Sequence, residues 1–166
     1  MTKQSELEAF AEVLVRHGVE FIVIGGQAEL LMGSPRVTYD TDLCYCRTSE
    51  NLAKLAAALK EIKPTPRGAP PDLPIQLDVQ SLALGSNYTF DTPLGPLDLL
   101  GWVEPLGNYE ALLPGSESFR IGNLELITIG LDDLITIKQH IGRSKDRESL
   151  LQLLAIREIR RNKSNK

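Results

Sequence analysis

The sequence predicts an α/β or α+β domain. Three observations lead there. A short, almost wholly apolar and β-branched run, Val19–Ile24, follows an amphipathic helical pattern and runs straight into Gly25-Gly26. A second helical pattern over 49–62 sits between two further strand-like stretches. The chain then closes on two helical patterns, after a pair of hairpin-like segments.

Taken in order, residues 4–17 read as a helix, with Leu7, Phe10 and Leu14 recurring at helical spacing and His17-Gly18 as its stop. Residues 19–24 read as a buried strand and 27–32 as a short helix halted by Gly33-Ser34-Pro35. A second strand is predicted over 36–47. The helix over 49–62 puts Leu52, Leu55, Leu59 and Ile62 on one face, capped by Thr48 or Ser49. Residues 64–74 hold five of the ten prolines and read as a surface loop. A strand over 75–80 is predicted next. Segments 87–91 and 97–103 form a hairpin around Thr92–Gly95, residues 109–113 a helical turn, and 119–129 a hairpin turning at Gly122-Asn123. Helices over 131–141 and 145–159 close the chain, broken at Gly142.

The 166 residues fit one domain, with a sheet-containing core over 1–130, C-terminal helices over 131–160 and a basic tail over 161–166. Apolar residues at 42% and charged residues at 24% are ordinary for a soluble globular chain and speak against a disordered, collagen-like or coiled-coil protein. No apolar run reaches the ~20 residues of a membrane span. Nothing at the N-terminus resembles a secretory leader, so the expected location is the cytoplasm. The net charge is −4, which speaks against a dedicated nucleic-acid binder, yet the last ten residues alone carry +4. Cys44 and Cys46 are too few and too close for a disulfide framework, and with only His17 and His140 beside them they make a poor zinc site. They read as small apolar residues of a strand.

The chemistry concentrates over 22–43. A strand runs into Gly25-Gly26, a helix starts at once, and Asp40-Thr41-Asp42 follows. Glycines let backbone approach a ligand closely, and a helix start offers free N–H groups to an anion. On a strand, Asp40 and Asp42 share one face about 6.5–7 Å apart. Two such carboxylates repel unless a cation joins them, and Mg²⁺ takes one or two carboxylates together with substrate phosphates. A two-metal site wants a third acid. Asp98, alone in the apolar run Leu97–Leu100, is preferred; Asp78 and Asp91 are rivals. Arg36, Lys138, Arg143 and Lys145 are candidates for neutralising phosphates. Three of them also have a plain structural use, Lys138 snorkelling from an apolar face and Arg143 and Lys145 meeting a helix end. Trp102 and Tyr109 read as packing residues, able to stack on a base where exposed, and His140 as a surface residue.

Gly25-Gly26, Asp40-Thr41-Asp42 and Asp98 together resemble the nucleotidyltransferase fold of the DNA polymerase β superfamily, in the branch of minimal nucleotidyltransferases and abortive-infection toxins. The run Leu131–Lys138 followed by Gly142–Asp146 resembles the same branch. The resemblance implies a mixed central sheet flanked by helices. It implies Asp40, Asp42 and Asp98 as catalytic Mg²⁺ ligands, and Gly25, Gly26, Arg36, Lys138, Arg143 and Lys145 on the nucleotide. It implies transfer of NMP from an NTP, ATP among the candidates, to a hydroxyl: an RNA or tRNA end, a protein, or a small molecule such as an antibiotic. An antitoxin or a second copy is an implied partner, no membrane is, and a non-catalytic nucleotide- or partner-binding module of the same fold is the alternative. Two positions depart from the branch: Gln27 offers no hydroxyl after the glycines, and polar Thr41 stands between the two acids.

Overall fold

The computed structural model describes residues 4–35, 38–70, 72–73 and 75–165. Helix α1 (Glu6–Arg16) buries Leu7, Phe10, Ala11 and Leu14, and the Ser5 hydroxyl caps it by accepting from the Glu8 N–H at 3.1 Å. The chain turns at Gly18 and enters β1 (Phe21–Ile24), whose four residues are all buried. Two-sided burial explains the unbroken apolar run seen in the sequence.

Helix α2 (Gly25–Leu31) starts at the first glycine, so Gly25-Gly26 is the helix's first turn and not a separate loop. Strand β2 (Thr41–Tyr45) is shorter than the predicted 36–47; Asp40 stands just outside it, and the expectations placed on Arg36 lie outside the described residues. Helix α3 (Ser49–Ile62) begins and ends where the sequence places it, with the Thr48 hydroxyl accepting from Asn51 N–H at 3.2 Å and Lys63 in the left-handed region as its stop.

Strand β3 (Thr65–Pro66) lies within the proline-rich segment. It takes the sheet edge, where a missing N–H costs nothing. The strand predicted over 75–80 does not form. The Asp78 carboxylate instead accepts from Ser81 N–H at 2.8 Å and caps α4 (Val79–Leu84); the local cap outcompetes the β-branched pattern. Strands β4 (Asn87–Asp91) and β5 (Leu97–Leu100) form the expected hairpin. They are followed by α5 (Tyr109–Leu112), β6 (Glu117–Ile121), β7 (Leu124–Thr128), α6 (Leu131–Ile141) and α7 (Arg147–Ser164). Gly142, with φ 61°, ends α6. Of the basic residues at the end of the sequence, Arg161 and Lys163 lie within α7.

Among the described residues, seven strands form one mixed sheet ordered β3-β4-β5-β2-β1-β7-β6. The central strand β2 runs antiparallel to β1 and parallel to β5. Helices α1 and α3 pack on each other, and α7 packs on α6. The core runs through Phe10, Leu14, Ile22, Leu43, Leu55, Leu59 and Leu99, all essentially inaccessible. No helix of the described residues is long and apolar enough to cross a membrane.

One buried polar side chain ties α3 to the sheet. The Asn51 amide donates to the Glu20 and Cys46 carbonyls at 3.1 and 2.7 Å and accepts from Glu20 N–H at 2.7 Å. It thereby fixes the start of β1 and the end of β2 at once. Asn51→Ala is expected to lower unfolding free energy by roughly 1.5–3 kcal/mol, read by urea denaturation, because three hydrogen bonds from one buried side chain to the backbone are lost together.

Candidate functional site

The parallel pairing of β2 with β5 sets Asp42 directly beside Asp98. On β5, Leu97 and Leu99 point into the core while Asp98 and Leu100 are half-buried on the other face. The same alternation leaves Asp42 half-buried between buried Thr41 and Leu43. The period of two that makes a sheet two-sided has put both acids on one face. Asp40 lies exposed at the entrance to β2, and a cleft of about 560 Å³ takes in Asp40, Asp42 and Asp98.

Gly25 and Gly26 line the same cleft. Their role is close approach. A Cβ on Gly25 would collide with Asp42 Oδ2, and Gly25 has φ +65°. A Cβ on Gly26 would stand 2.6 Å from the Thr38 hydroxyl. A hydroxyl, that of Thr38, thus stands against Gly26 beside Gln27, which has none. Thr38 Oγ1 and Gln27 Nε2 also both donate, at 3.4 and 3.5 Å, to the Asp40 carbonyl and hold the backbone of the first acid. Nothing in the spacing of the sequence pointed to Thr38.

The two strand acids do not sit together comfortably. The Asp42 carboxyl is pushed up to about 7, by burial first, then by the charge of Asp98 and the hydrogen bond to it, then by Asp40. Arg67 opposes that shift. Its Nη2 lies 2.8 Å from Asp98 Oδ1 and donates to the Phe90 carbonyl at 2.9 Å, while Nε reaches Asp91 at 3.4 Å. Arg67 comes from the proline-rich segment, just past β3, and no local pattern marks it: the contact exists only because β3, β4 and β5 are neighbours. Of the rival acids, Asp78 is the α4 cap and Asp91 an exposed residue at the end of β4.

Lys138, Arg143 and Lys145 all reach the cleft, where Asp146 joins them. Lys138 is buried, with Nζ 3.1 Å from Asp146 Oδ1 and 3.5 Å from Glu29 Oε1. Arg143 Nε meets the other Asp146 oxygen at 2.6 Å, with about half of its side chain exposed. Burial alone would raise the Asp146 carboxyl; the hydrogen bonds and charges of Arg143 and Lys138 outweigh it and hold the group below its usual range. Lys138 is thus the pin of a buried ion-pair network under the cleft. Arg143 and Lys145 are exposed at the cleft. Tyr109 is buried as expected, and His140 is exposed. Trp102 departs from the packing role: it is 49% exposed and lines the cleft.

Among the described residues no three Asp, Glu, His or Cys side chains are already drawn into a ready-made metal cluster. The donor set still fits a hard cation. Two oxygen-only ligands face each other at a cost visible in the raised Asp42 carboxyl, and a third, Asp40, stands on the same cleft.

A carboxyl raised by folding favours the folded chain while it stays protonated and loses that advantage as pH climbs through its folded value. The melting temperature of the metal-free protein is therefore expected to fall from about pH 4 to about pH 7 more steeply than that of Asp42→Asn. Gly25→Ala should stay folded but lose divalent-cation binding, measured by calorimetry, because its methyl must displace the Asp42 carboxylate.

No family model and no curated protein matches this chain. Solved structures do. The lincosamide antibiotic adenylyltransferase LnuA, solved with lincomycin bound, superposes with a TM-score of 0.61 at 15% identity, over 93% of this chain and 98% of that one. TM1012 of Thermotoga maritima, assigned as a candidate nucleotidyltransferase, superposes with a TM-score of 0.57 at 13% identity, over 90% of each chain. With its mixed sheet, its flanking helices and this likeness over nearly its whole length, the chain has the nucleotidyltransferase fold.

Proposed function

We propose that the protein is a Mg²⁺-dependent nucleotidyltransferase that moves NMP from an NTP to a hydroxyl acceptor. The observation that carries this is the placement of Asp42 beside Asp98 in the β2–β5 register, on a cleft that Asp40, Gly25 and Gly26 also line. Asp40, Asp42 and Asp98 would hold the cation, which when bound neutralises triphosphate charge and polarises the reacting phosphate. Gly25 and Gly26 let the Asp42 carboxylate and Thr38 close in over the start of α2, on the cleft where the triphosphate would lie. Arg143 and Lys145 bring positive charge to the same cleft. Asp98, beside Asp42 on the cleft face of β5, is placed to accept the acceptor's hydroxyl proton. The protein's contribution is chiefly positioning and charge complementarity.

A second reading has its own support. Arg67 already pairs with Asp98, which is how a non-catalytic nucleotide-binding module would satisfy a third acid that has no metal to hold.

Label transfer from each of four α-labelled NTPs, with Mg²⁺, to RNA, to the protein itself and to small hydroxyl compounds separates the two. Transfer is expected in the wild type and should fall by about 100-fold or more in Asp40→Asn and in Asp98→Asn. Nucleotide binding without transfer to any acceptor would favour the binding module, and no nucleotide binding would overturn both.

A further inference from the structure

Arg67 does not line the cleft, yet its guanidinium reaches the third acid from outside. It lies one residue past β3, and its backbone N–H donates to the Thr89 carbonyl at 3.0 Å. Thr89 is the β4 register partner of Asp98. The side chain therefore crosses a single strand to bring Nη2 within 2.8 Å of Asp98 Oδ1. Among the described residues, no other basic side chain forms an ion pair with Asp40, Asp42 or Asp98. Lys138 and Arg143 pair with Asp146, and Lys145 stands exposed on the same cleft.

Two features make the Arg67–Asp98 pair breakable. Asp98 Oδ1 is buried and accepts no aligned hydrogen bond, so Arg67 offers it charge without direction. A charged pair is strong chiefly where its hydrogen bonds are short and aligned. The aligned N–H groups of Arg67 go elsewhere, Nη2 to the Phe90 carbonyl at 2.9 Å and Nε to Asp91 Oδ1 at 3.4 Å. Arg67 is thus tethered to β4 by its backbone and by two side-chain bonds, whatever Asp98 holds. Its side chain is 34% exposed, so water can solvate the charge when Asp98 turns to another cation.

A divalent cation approaching Asp98 meets the charge of Arg67. Two positive groups on one carboxylate repel, and the guanidinium already stands at the oxygen the metal needs. A triphosphate changes the balance, because its negative charge offsets that repulsion and its oxygens complete the shell of the cation. Resting on the nucleotidyl-transfer reading, we propose that Arg67 stands in for the cation at Asp98 and keeps divalent metal off that acid until nucleotide enters the cleft. Arg67 acts through Asp98 and touches no reacting atom. Metal and nucleotide then bind cooperatively, each tightening the other by the same factor. The pairing that a non-catalytic module would use to satisfy Asp98 is, on this reading, the resting state of an active one.

The intact, nucleotide-free protein is titrated with Mn²⁺, and the free ion is followed by its paramagnetic resonance signal. Arg67→Gln should bind Mn²⁺ about tenfold more tightly than the wild type. Arg67→Lys, which restores the charge without the planar fork, should lie nearer the wild type. A damaged fold does not produce a gain in affinity. A non-hydrolysable ATP analogue should tighten Mn²⁺ binding more in the wild type than in Arg67→Gln. Equal or weaker Mn²⁺ binding by Arg67→Gln overturns the proposal. The wild type gives an independent reading through the Arg67 side-chain N–H signal in heteronuclear NMR. That signal should shift when Mg²⁺ and the analogue are added together; Mg²⁺ and nucleotide bound with the signal unmoved also overturns the proposal. Transfer assays keep the underlying reading separate. Nucleotidyl transfer with unchanged Mn²⁺ affinity in Arg67→Gln sinks the stand-in and leaves the enzyme. Tighter Mn²⁺ binding in Arg67→Gln, with no transfer to any acceptor by the wild type, does the reverse. No Mn²⁺ binding by either chain, with or without the analogue, sinks both.

Discussion

Everything at the cleft depends on one pair of side chains, Asp42 and Asp98, held abreast by the parallel pairing of β2 and β5. A sheet normally avoids like charges on neighbouring strands, because each raises the other's cost of ionisation. Here the conflict is built into the centre of the fold. Buried Leu43 and Leu99 are also register partners, so neither strand can slip by one residue without turning its apolar side chains out of the core. Core burial thus forces the two carboxylates together, and the repulsion between them is the price of the site. Arg67 relieves part of it by pairing with Asp98.

The surroundings keep that pair accessible. Gly25 is bare because the Asp42 carboxylate occupies the space of a side chain, and Thr38 does the same over Gly26. Beneath the cleft, Lys138 joins Glu29 of α2 to Asp146 at the junction of α6 and α7. One buried cation thereby locks the glycine-bearing helix to the C-terminal pair. Breaking such a network from one side leaves an uncompensated buried charge, so its members hold the cleft's floor whatever else they touch.

Much of this was legible in the sequence, for physical reasons. Helices α3 and α6 have periodic apolar faces and local stops, so their limits could be placed from neighbours alone. The acids Asp40, Asp42 and Asp98 stood out because charge inside an apolar strand demands a partner. What was hidden depended on contacts between distant segments. Arg67 reaches Asp98 only across three adjacent strands, and Thr38 meets Gly26 only because the chain folds back on α2. Lys138 was identified as a group on the cleft, yet its burial between Glu29 and Asp146 needed the packing of α2 against α6. The 75–80 segment misled because a β-branched pattern and an Asp cap competed, and the cap's hydrogen bond prevailed. Trp102 misled because most tryptophans pack, and nothing local marks one that lines a cleft.

The central claim is that the facing acids are a cation site on which a nucleotide is handled. A crystal structure of the protein with Mn²⁺ and a non-hydrolysable NTP, read by the anomalous signal of the metal, tests it most directly. The account predicts manganese between Asp42 and Asp98, with the triphosphate lying toward Gly25 and Gly26. Manganese elsewhere, or a nucleotide bound while Arg67 keeps Asp98 and no metal enters, would contradict it.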